Sequence, residues 1–262
     1  MRSIQPVHTA RVSVQMRELT IGQVQELCTI PYQFEQRTIT AFLNAVCEHL
    51  PRGSGKESVT DPLLWSVNER MNAVIYYLAS MLEDGPDFAI GEGHLRDYLL
   101  AEADYVDAVP FRHDDDDMVC TPLHGYQAEA IEHLVTTGVL PRSYFGWQLG
   151  AMAACVRGAD ELPLEYSDPT AYSKQLLARV EALKNAPERE FVRLHQAFLD
   201  ASMSLQHFVH VGFSDQGVVS VQVTDPDPEK GVPELGYARF HPRSGISRGA
   251  CEILEAVDQY PG

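Results

Sequence analysis

The sequence predicts an α+β protein that is predominantly helical, with a helical N-terminal region, a C-terminal helical hairpin and a small antiparallel sheet. Three observations support this class: apolar residues recur at helical three-four spacing in several segments, capping boxes precede two of them, and apolar residues alternate with polar ones near the C-terminus. We divide the chain into regions 1–110 and 111–262, as separate units or as one continuous domain.

The N-terminal region is predicted to begin with a strand and continue as helices. Apolar and polar residues alternate over 12–16, and Thr20 with Gln23 forms a capping box for a short helix. A second helix is expected from Phe34 to Leu50, where the segment 51–55 breaks it with proline and glycine.

The next helix has the clearest signal in this region. Ser66 and Glu69 form a capping box, and apolar residues follow at helical spacing as far as Leu82. Gly85 and Pro86 end this helix, and the pattern between them and Pro110 does not decide between helix and strand.

The middle of the chain contains four consecutive aspartates, Asp114 to Asp117, which predict an exposed turn. A short strand over 118–120 and a helix between Leu123 and Leu134 are expected after it. The segment from Tyr144 to Val156 predicts an apolar helix, in which Gly146 and Gly150 allow close packing against a neighbour.

Two consecutive helices are predicted next, and their short connection favours an antiparallel helical hairpin. The first begins at Asp168 and Pro169, and the second has Pro187 in its first turn. The second helix has a heptad pattern formed by Phe191, Leu194, Phe198, Ala201, Leu205 and Phe208. Pairing of this face with another subunit is the alternative to the hairpin.

The C-terminal part is predicted to contain a β-hairpin, a loop and a last helix. Apolar residues alternate over 209–213 and 218–223 around a four-residue connection. Prolines and charges mark 224–236 as an exposed loop, and a short helix is expected over about 247–257.

Charge and hydropathy narrow the classes of partner. The chain has 20 basic and 37 acidic residues, a formal charge of −17, so its average field repels nucleic acid. The longest apolar run is too short to span a membrane, and no secretory signal is visible, so we expect the cytoplasm as the location. Five widely spaced cysteines resemble reduced core thiols: Cys28, Cys47, Cys120, Cys155 and Cys251.

Two groups of residues suggest metal chemistry, each with a plainer interpretation. His113, the aspartates 114–117, Cys120 and His124 offer donor atoms for a divalent ion, but their spacing favours a solvated acidic loop. His207 and His210 lie three residues apart, a spacing at which both rings can bind one metal ion. The plainer interpretation is that both lie near the C-terminal end of a helix and interact favourably with its dipole.

No catalytic, cofactor-binding or metal-binding residue is therefore predicted, and no cofactor is expected. The segment from Gly53 to Lys56 lacks the remaining residues of a phosphate-binding loop, and signatures of common hydrolases and dinucleotide-binding proteins do not occur. Aromatic residues suited to a partner-binding patch, or more simply to the core, are Trp65, Tyr76, Tyr77, Phe145 and Trp147.

Several sequence blocks resemble uncharacterised proteins encoded in the tail-gene modules of phages and prophages. These blocks are MRELTIGQVQELCTIPYQFEQRTITAFLNAV, DPLLWSVNERMNAVIYYLA, PLHGYQAEAIEHL, WQLGAMAA and ARFHPRSGISRGACEIL. The resemblance implies a tail or baseplate assembly context, with tail or baseplate proteins as partners and a location in the host cytoplasm or the virion.

We therefore expect a non-enzymatic assembly or structural protein that acts by protein–protein binding, without nucleic acid or membrane. One alternative is a metal-dependent hydrolase that uses residues 113–124, where a bound ion would activate water. A host-directed phage effector is the other alternative. The sequence sets neither an oligomeric state nor a binding surface.

Overall fold

The computed structural model describes residues 4–51, 58–81, 86–90, 93–100, 104–164, 166, 169–223 and 236–246. Its helices are α1 Ile21–Thr29, α2 Glu35–Val46, α3 Val67–Met81, α4 Gly125–Thr136, α5 Tyr144–Cys155, α6 Pro169–Lys184 and α7 Glu188–Ser204. Its strands are β1 Val7–His8, β2 Ser13–Met16, β3 Cys47–His49, β4 Ala89–Ile90, β5 Gly93–His94, β6 Val109–His113, β7 Asp116–Cys120, β8 Val156–Gly158, β9 Val211–Ser214, β10 Gly217–Val221 and β11 Tyr237–Ala238. This composition confirms a mixed fold with small antiparallel sheets.

The N-terminal helices begin and end for identifiable reasons. Thr20 and Gln23 form the predicted capping box at the start of α1. The helix predicted from Phe34 to Leu50 is shorter, because Val46 ends α2 and the chain then becomes β3. Strand β3 pairs antiparallel with β2, so hydrogen bonding to a distant strand overrides helical periodicity over its last residues.

Helix α3 starts as predicted and is buried on most of its circumference. The Ser66 N–H donates to the Glu69 carboxylate at 2.9 Å, and the Glu69 N–H donates to the Ser66 hydroxyl oxygen at 3.1 Å. Arg70, only 1% exposed, donates to the Gln36 carbonyl and the Thr40 hydroxyl of α2. The undecided segment before residue 110 contains β4, β5 and a 3₁₀ helix, Leu95–Tyr98.

The central sheet has the order β6-β7-β8. The exposed turn predicted over Asp114 to Asp117 contains only Asp114 and Asp115, because Asp116 and Asp117 already pair with β6 as part of β7. Helix α5 ends at Cys155 because Val156 begins β8 and pairs with Cys120. Gly150 lies against α4, where an added Cβ would be 2.8 Å from Cγ2 of Ile131. The close helix packing expected at the two glycines is therefore present at Gly150, whereas Gly146 lies against the backbone of Pro141.

Helices α6 and α7 do not form the predicted antiparallel hairpin. Helix α6 packs against α4 and α5 through Tyr172, Leu176 and Val180, whereas α7 packs across β6 and β7. Pro187 is the N-cap of α7, and the helix ends at Ser204, before the heptad pattern does. The two helices therefore pack mainly against other elements and not against each other.

The predicted C-terminal β-hairpin is present, with a turn at Asp215 and Gln216 that is shorter than the expected four residues. Strand β11 adds a third strand, giving the order β11-β10-β9. The predicted breaks at 52–55 and Gly85, most of the loop 224–236 and the helix 247–257 lie outside the described residues.

The hydrophobic core crosses the division proposed at residue 110. Buried side chains from both sides of it, including Phe42, Val74, Ile131 and Met152, belong to one cluster. Helix α4 contacts α2 and α3 as well as α5 and α6, so it occupies the centre of the fold. Within the described part of the chain, no helix combines the length and hydropathy required to cross a bilayer.

Candidate functional site

The main candidate site is a cleft of about 360 Å³ at the meeting point of the central sheet, α5, α7 and the C-terminal hairpin. We name it the apolar cleft. The residues that line it are Val67, Asn68, Cys120, Thr121, Pro122, Leu123, Tyr144, Gln148, Ala151, Cys155, Phe198, Leu199, Ser202, Met203, Leu205, Gln206, His210, Val211, Gly212, Phe213, Val221 and Tyr237.

The cleft has no aspartate, glutamate, lysine or arginine among these lining residues, although such residues make up 22% of the chain. Three of its side chains are large, apolar in part and solvent-exposed: Tyr144 at 49%, Met203 at 54% and Tyr237 at 58%. An uncharged concave surface flanked by exposed apolar groups is suited to a ligand that is itself largely apolar.

The polar side chains of the cleft are mostly engaged with the protein itself. The Asn68 amide donates to the Gln206 side chain at 3.0 Å and to the Val209 carbonyl at 2.9 Å. Gln148 donates to the Tyr144 hydroxyl at 2.5 Å, and its carbonyl oxygen lies 2.8 Å from Nε2 of His195. These bonds hold the walls in place and leave few groups to orient a polar substrate.

His207 and His210 do not converge on a shared site. His207 is fully buried, and its Nδ1 lies 2.9 Å from the Leu205 carbonyl oxygen, so this nitrogen carries the proton. Its Nε2 then accepts from the Ser66 hydroxyl at 3.2 Å. His210 lines the cleft instead, and burial lowers the pKa of both imidazoles, which favours their neutral forms.

The Ser66 and His207 pair resembles half of a nucleophile–base arrangement, but both residues are 0% exposed. A substrate cannot reach the Ser66 hydroxyl in this arrangement, and the same oxygen caps α3. The carboxylate of Glu69 lies 3.6 Å from Arg11, which balances its buried charge. This network joins the start of α3 to the end of α7 and has a structural role.

The acidic segment does not assemble a coordination sphere in the described residues. Asp114 is paired with Arg193 at 2.7 Å, and Asp117 with Arg112 at 3.4 Å. In the described part of the chain, no three His, Cys, Asp or Glu side chains form a group that could hold a metal ion.

The other two candidate ligands of this segment, Cys120 and His124, lie in different surroundings. Cys120 faces the apolar cleft, where burial raises its thiol pKa to about 12, and His124 is the N-cap of α4. The metal-dependent hydrolase therefore gains no support from the geometry of these residues. The segment from Gly53 to Lys56 lies outside the described residues.

The aromatic candidates divide between core and surface. Trp65, Tyr77 and Trp147 are at most 3% exposed and belong to the core, whereas Phe145 is 47% exposed and Tyr76 is partly buried. The sequence did not single out Met203 or Tyr237 as site residues. The signal for Met203 in the sequence is limited to an apolar residue outside the heptad pattern of its helix. Tyr237 has no such signal, because its pairing with β10 is known only from the fold.

Comparison of the chain with protein-family models, with curated proteins and with solved structures gives no match. The arrangement of the cleft itself is therefore the starting point for its function. It can desolvate apolar groups of a ligand, and its described lining residues place no aspartate, glutamate, lysine or arginine against them.

Proposed function

We propose that the protein is a non-enzymatic component of phage tail or baseplate assembly, and that its apolar cleft binds an apolar segment of a tail or baseplate protein. The observation that carries this proposal is that the described lining residues include no aspartate, glutamate, lysine or arginine in a chain of net charge −17. The exposed Tyr144, Met203 and Tyr237 flank this lining. The assembly context comes from the sequence resemblance to proteins of phage tail modules.

The size of the cleft limits what enters it. A volume of about 360 Å³ lies near the lower end of the range of about 300 to 1,000 Å³ that ligand pockets occupy. A whole helix does not fit, but a few adjacent anchor side chains do. Buried apolar anchors at the centre of an interface typically supply most of its binding energy.

The acidic charge of the protein indicates which charged residues flank the apolar anchors in the partner. With 37 acidic and 20 basic residues, the average field attracts positive charge and repels negative charge. The partner segment is therefore apolar at its centre and flanked by lysine or arginine. Such complementarity speeds association and excludes acidic competitors more than it increases affinity.

The test uses a tagged protein in cells that produce the complete tail assembly system, with mass spectrometry of intracellular complexes and of finished particles. Met203→Glu places a charge at the cleft through an exposed position, so the fold is retained. Val192→Glu is the matched control, because Val192 is 56% exposed on the same helix and does not line the cleft.

We expect tail or baseplate proteins to be recovered with the wild type and with the Val192→Glu variant. Their recovery with Met203→Glu should be at least tenfold lower, because desolvating the added charge costs more than about 1.4 kcal/mol. Recovery only inside cells indicates an assembly chaperone, and recovery in particles indicates a structural component. Equal recovery with both variants would place the binding surface elsewhere, and recovery of no tail protein would refute the proposal.

A further inference from the structure

A second cavity, of about 320 Å³, has the opposite character to the apolar cleft. We name it the arginine cavity. Its lining consists of Arg11, Tyr105, Asp107, Thr121, His124, Tyr126, Gln127, Ala154, Arg157, Pro163, Leu164 and Arg179. Three of the 20 basic residues of an acidic protein therefore face one small space, where Asp107 is the single carboxylate among the described lining residues.

Two of the three arginines are balanced by carboxylates outside the lining, and the third, Arg157, has no carboxylate partner among the residues that the structure describes. Arg11 lies 3.6 Å from Glu69, and Arg179 is paired with Glu161. In contrast, Nη1 of Arg157 donates to neutral backbone carbonyls, those of Gly158 at 3.2 Å, Ala159 at 3.4 Å and Glu161 at 2.5 Å.

Those carbonyl bonds fix the position of the Arg157 guanidinium but do not neutralise it. Its Nε atom is buried and has no hydrogen-bond partner among the described residues. Leaving a buried donor unpaired on a charged group is costly, and an anion that reaches this guanidinium would offset both the charge and the unpaired N–H.

Helix α4 adds positive potential to the same cavity. Its N-cap His124 and its first-turn residues Tyr126 and Gln127 all line the space. The N–H groups of Gly125 and Ala128 already donate to the carbonyls of Trp65 and His124, so the contribution of the helix is its dipole, which favours negative charge at this end. The helix has twelve residues, long enough for its first turn to have a substantial effect.

Aromatic rings complete the walls. The His124 ring stacks on Tyr126 with centroids 6.0 Å apart and an interplanar angle of 16°. The guanidinium of Arg11 lies 4.8 Å from the ring centre of Tyr105, and Arg11 donates to the Tyr105 hydroxyl at 2.5 Å. These contacts hold His124 and Arg11 in fixed orientations before any ligand binds.

We propose that the arginine cavity binds a phosphate-class oxyanion, either free phosphate or the phosphate group of a small ester. Arginine provides several N–H donors in a planar fork that matches the oxygens of phosphate. This inference does not rest on the proposed assembly function. The two cavities share only Thr121 in their linings, so binding at either can be measured by itself.

His124 provides a spectroscopic signal for occupancy. Its pKa is lowered to about 4, mainly by burial and then by the positive charge of Arg11, while Gln127, Asp107 and the Pro122 backbone partly oppose the shift. A bound anion adds negative charge beside the ring, so the imidazole holds its proton more tightly and its pKa rises.

The experiment is calorimetric titration of the full chain with inorganic phosphate and with phenyl phosphate, at constant ionic strength set with sodium chloride. We expect saturable binding to the wild type, at least tenfold weaker binding to Arg157→Gln and unchanged binding to Arg193→Gln. Arg193 is the matched control, because it is 61% exposed and pairs with Asp114 outside this cavity.

Equal affinity of Arg157→Gln and the wild type would overturn the proposal, as would the lack of saturable binding by either probe. Because Arg157 also holds the turn at 158–161, nuclear magnetic resonance titration of His124 in the wild-type protein provides a second test. A rise in its pKa with phosphate supports the site, and an unchanged pKa contradicts it. Tighter binding of phenyl phosphate indicates a phosphate ester, and equal binding indicates free phosphate.

Discussion

Glu132 links the stability of the fold to pH. This α4 residue is 3% exposed, and its carboxylate accepts the backbone N–H groups of Gln36 at 2.7 Å and Arg37 at 3.3 Å in the first turn of α2. Its pKa is raised to about 8, mainly by burial and also by the charges of Glu35 and Glu129, while the two N–H bonds partly oppose this shift.

The direction of the pH effect follows from this raised pKa. The folded protein binds the Glu132 proton more tightly than the unfolded chain, whose pKa is near 4.5. Stability is therefore greatest below the unfolded value and falls as the pH rises toward 8. Between pH 6 and pH 8.5, ionisation of this one group is expected to cost about 2 to 3 kcal/mol of unfolding free energy.

The variant Glu132→Gln removes the titration and retains an oxygen that accepts one of the two N–H groups. The variant loses the other hydrogen bond, which lowers its free energy of unfolding by about 1 to 3 kcal/mol at every pH. Between pH 6 and pH 8.5, the free energy of unfolding of the wild type should fall by about 2 to 3 kcal/mol more than that of the variant, as measured by urea denaturation. The exposed Glu26→Gln is the control. A difference between wild type and Glu132→Gln that does not change with pH would refute the reasoning.

Two further substitutions test the packing of the fold, both by urea denaturation. Gly150→Ala places a Cβ 2.8 Å from Ile131 and should destabilise the protein by about 1 to 3 kcal/mol, whereas Gly22→Ala, with nothing within 4 Å, should cause no loss. Ser66→Ala removes the α3 cap and the partner of His207, and should cost about 2 to 4 kcal/mol, while Ser66→Thr should retain most of the stability. Equal stabilities within either pair would contradict these contacts.

Local signals predicted much of the secondary structure. The capping boxes at Thr20 and Ser66 mark the starts of α1 and α3, since capping depends on residues within one turn. The predictions were wrong where distant partners decided the outcome. Val46 ends α2 because β2 pairs with the residues that follow it, and the apolar faces of α6 and α7 are covered by different elements.

The sequence by itself determined that the chain forms a predominantly helical, mixed fold with a strongly acidic balance and a C-terminal β-hairpin. Only the tertiary structure brought Asn68 to Gln206 across the apolar cleft, and Arg11 to Arg157 and Arg179 around the arginine cavity. The physical reason is the distance along the chain over which each kind of interaction acts. Periodicity and capping act over a few residues, whereas a cavity requires side chains far apart in the chain to converge, which the packing of whole helices and sheets decides.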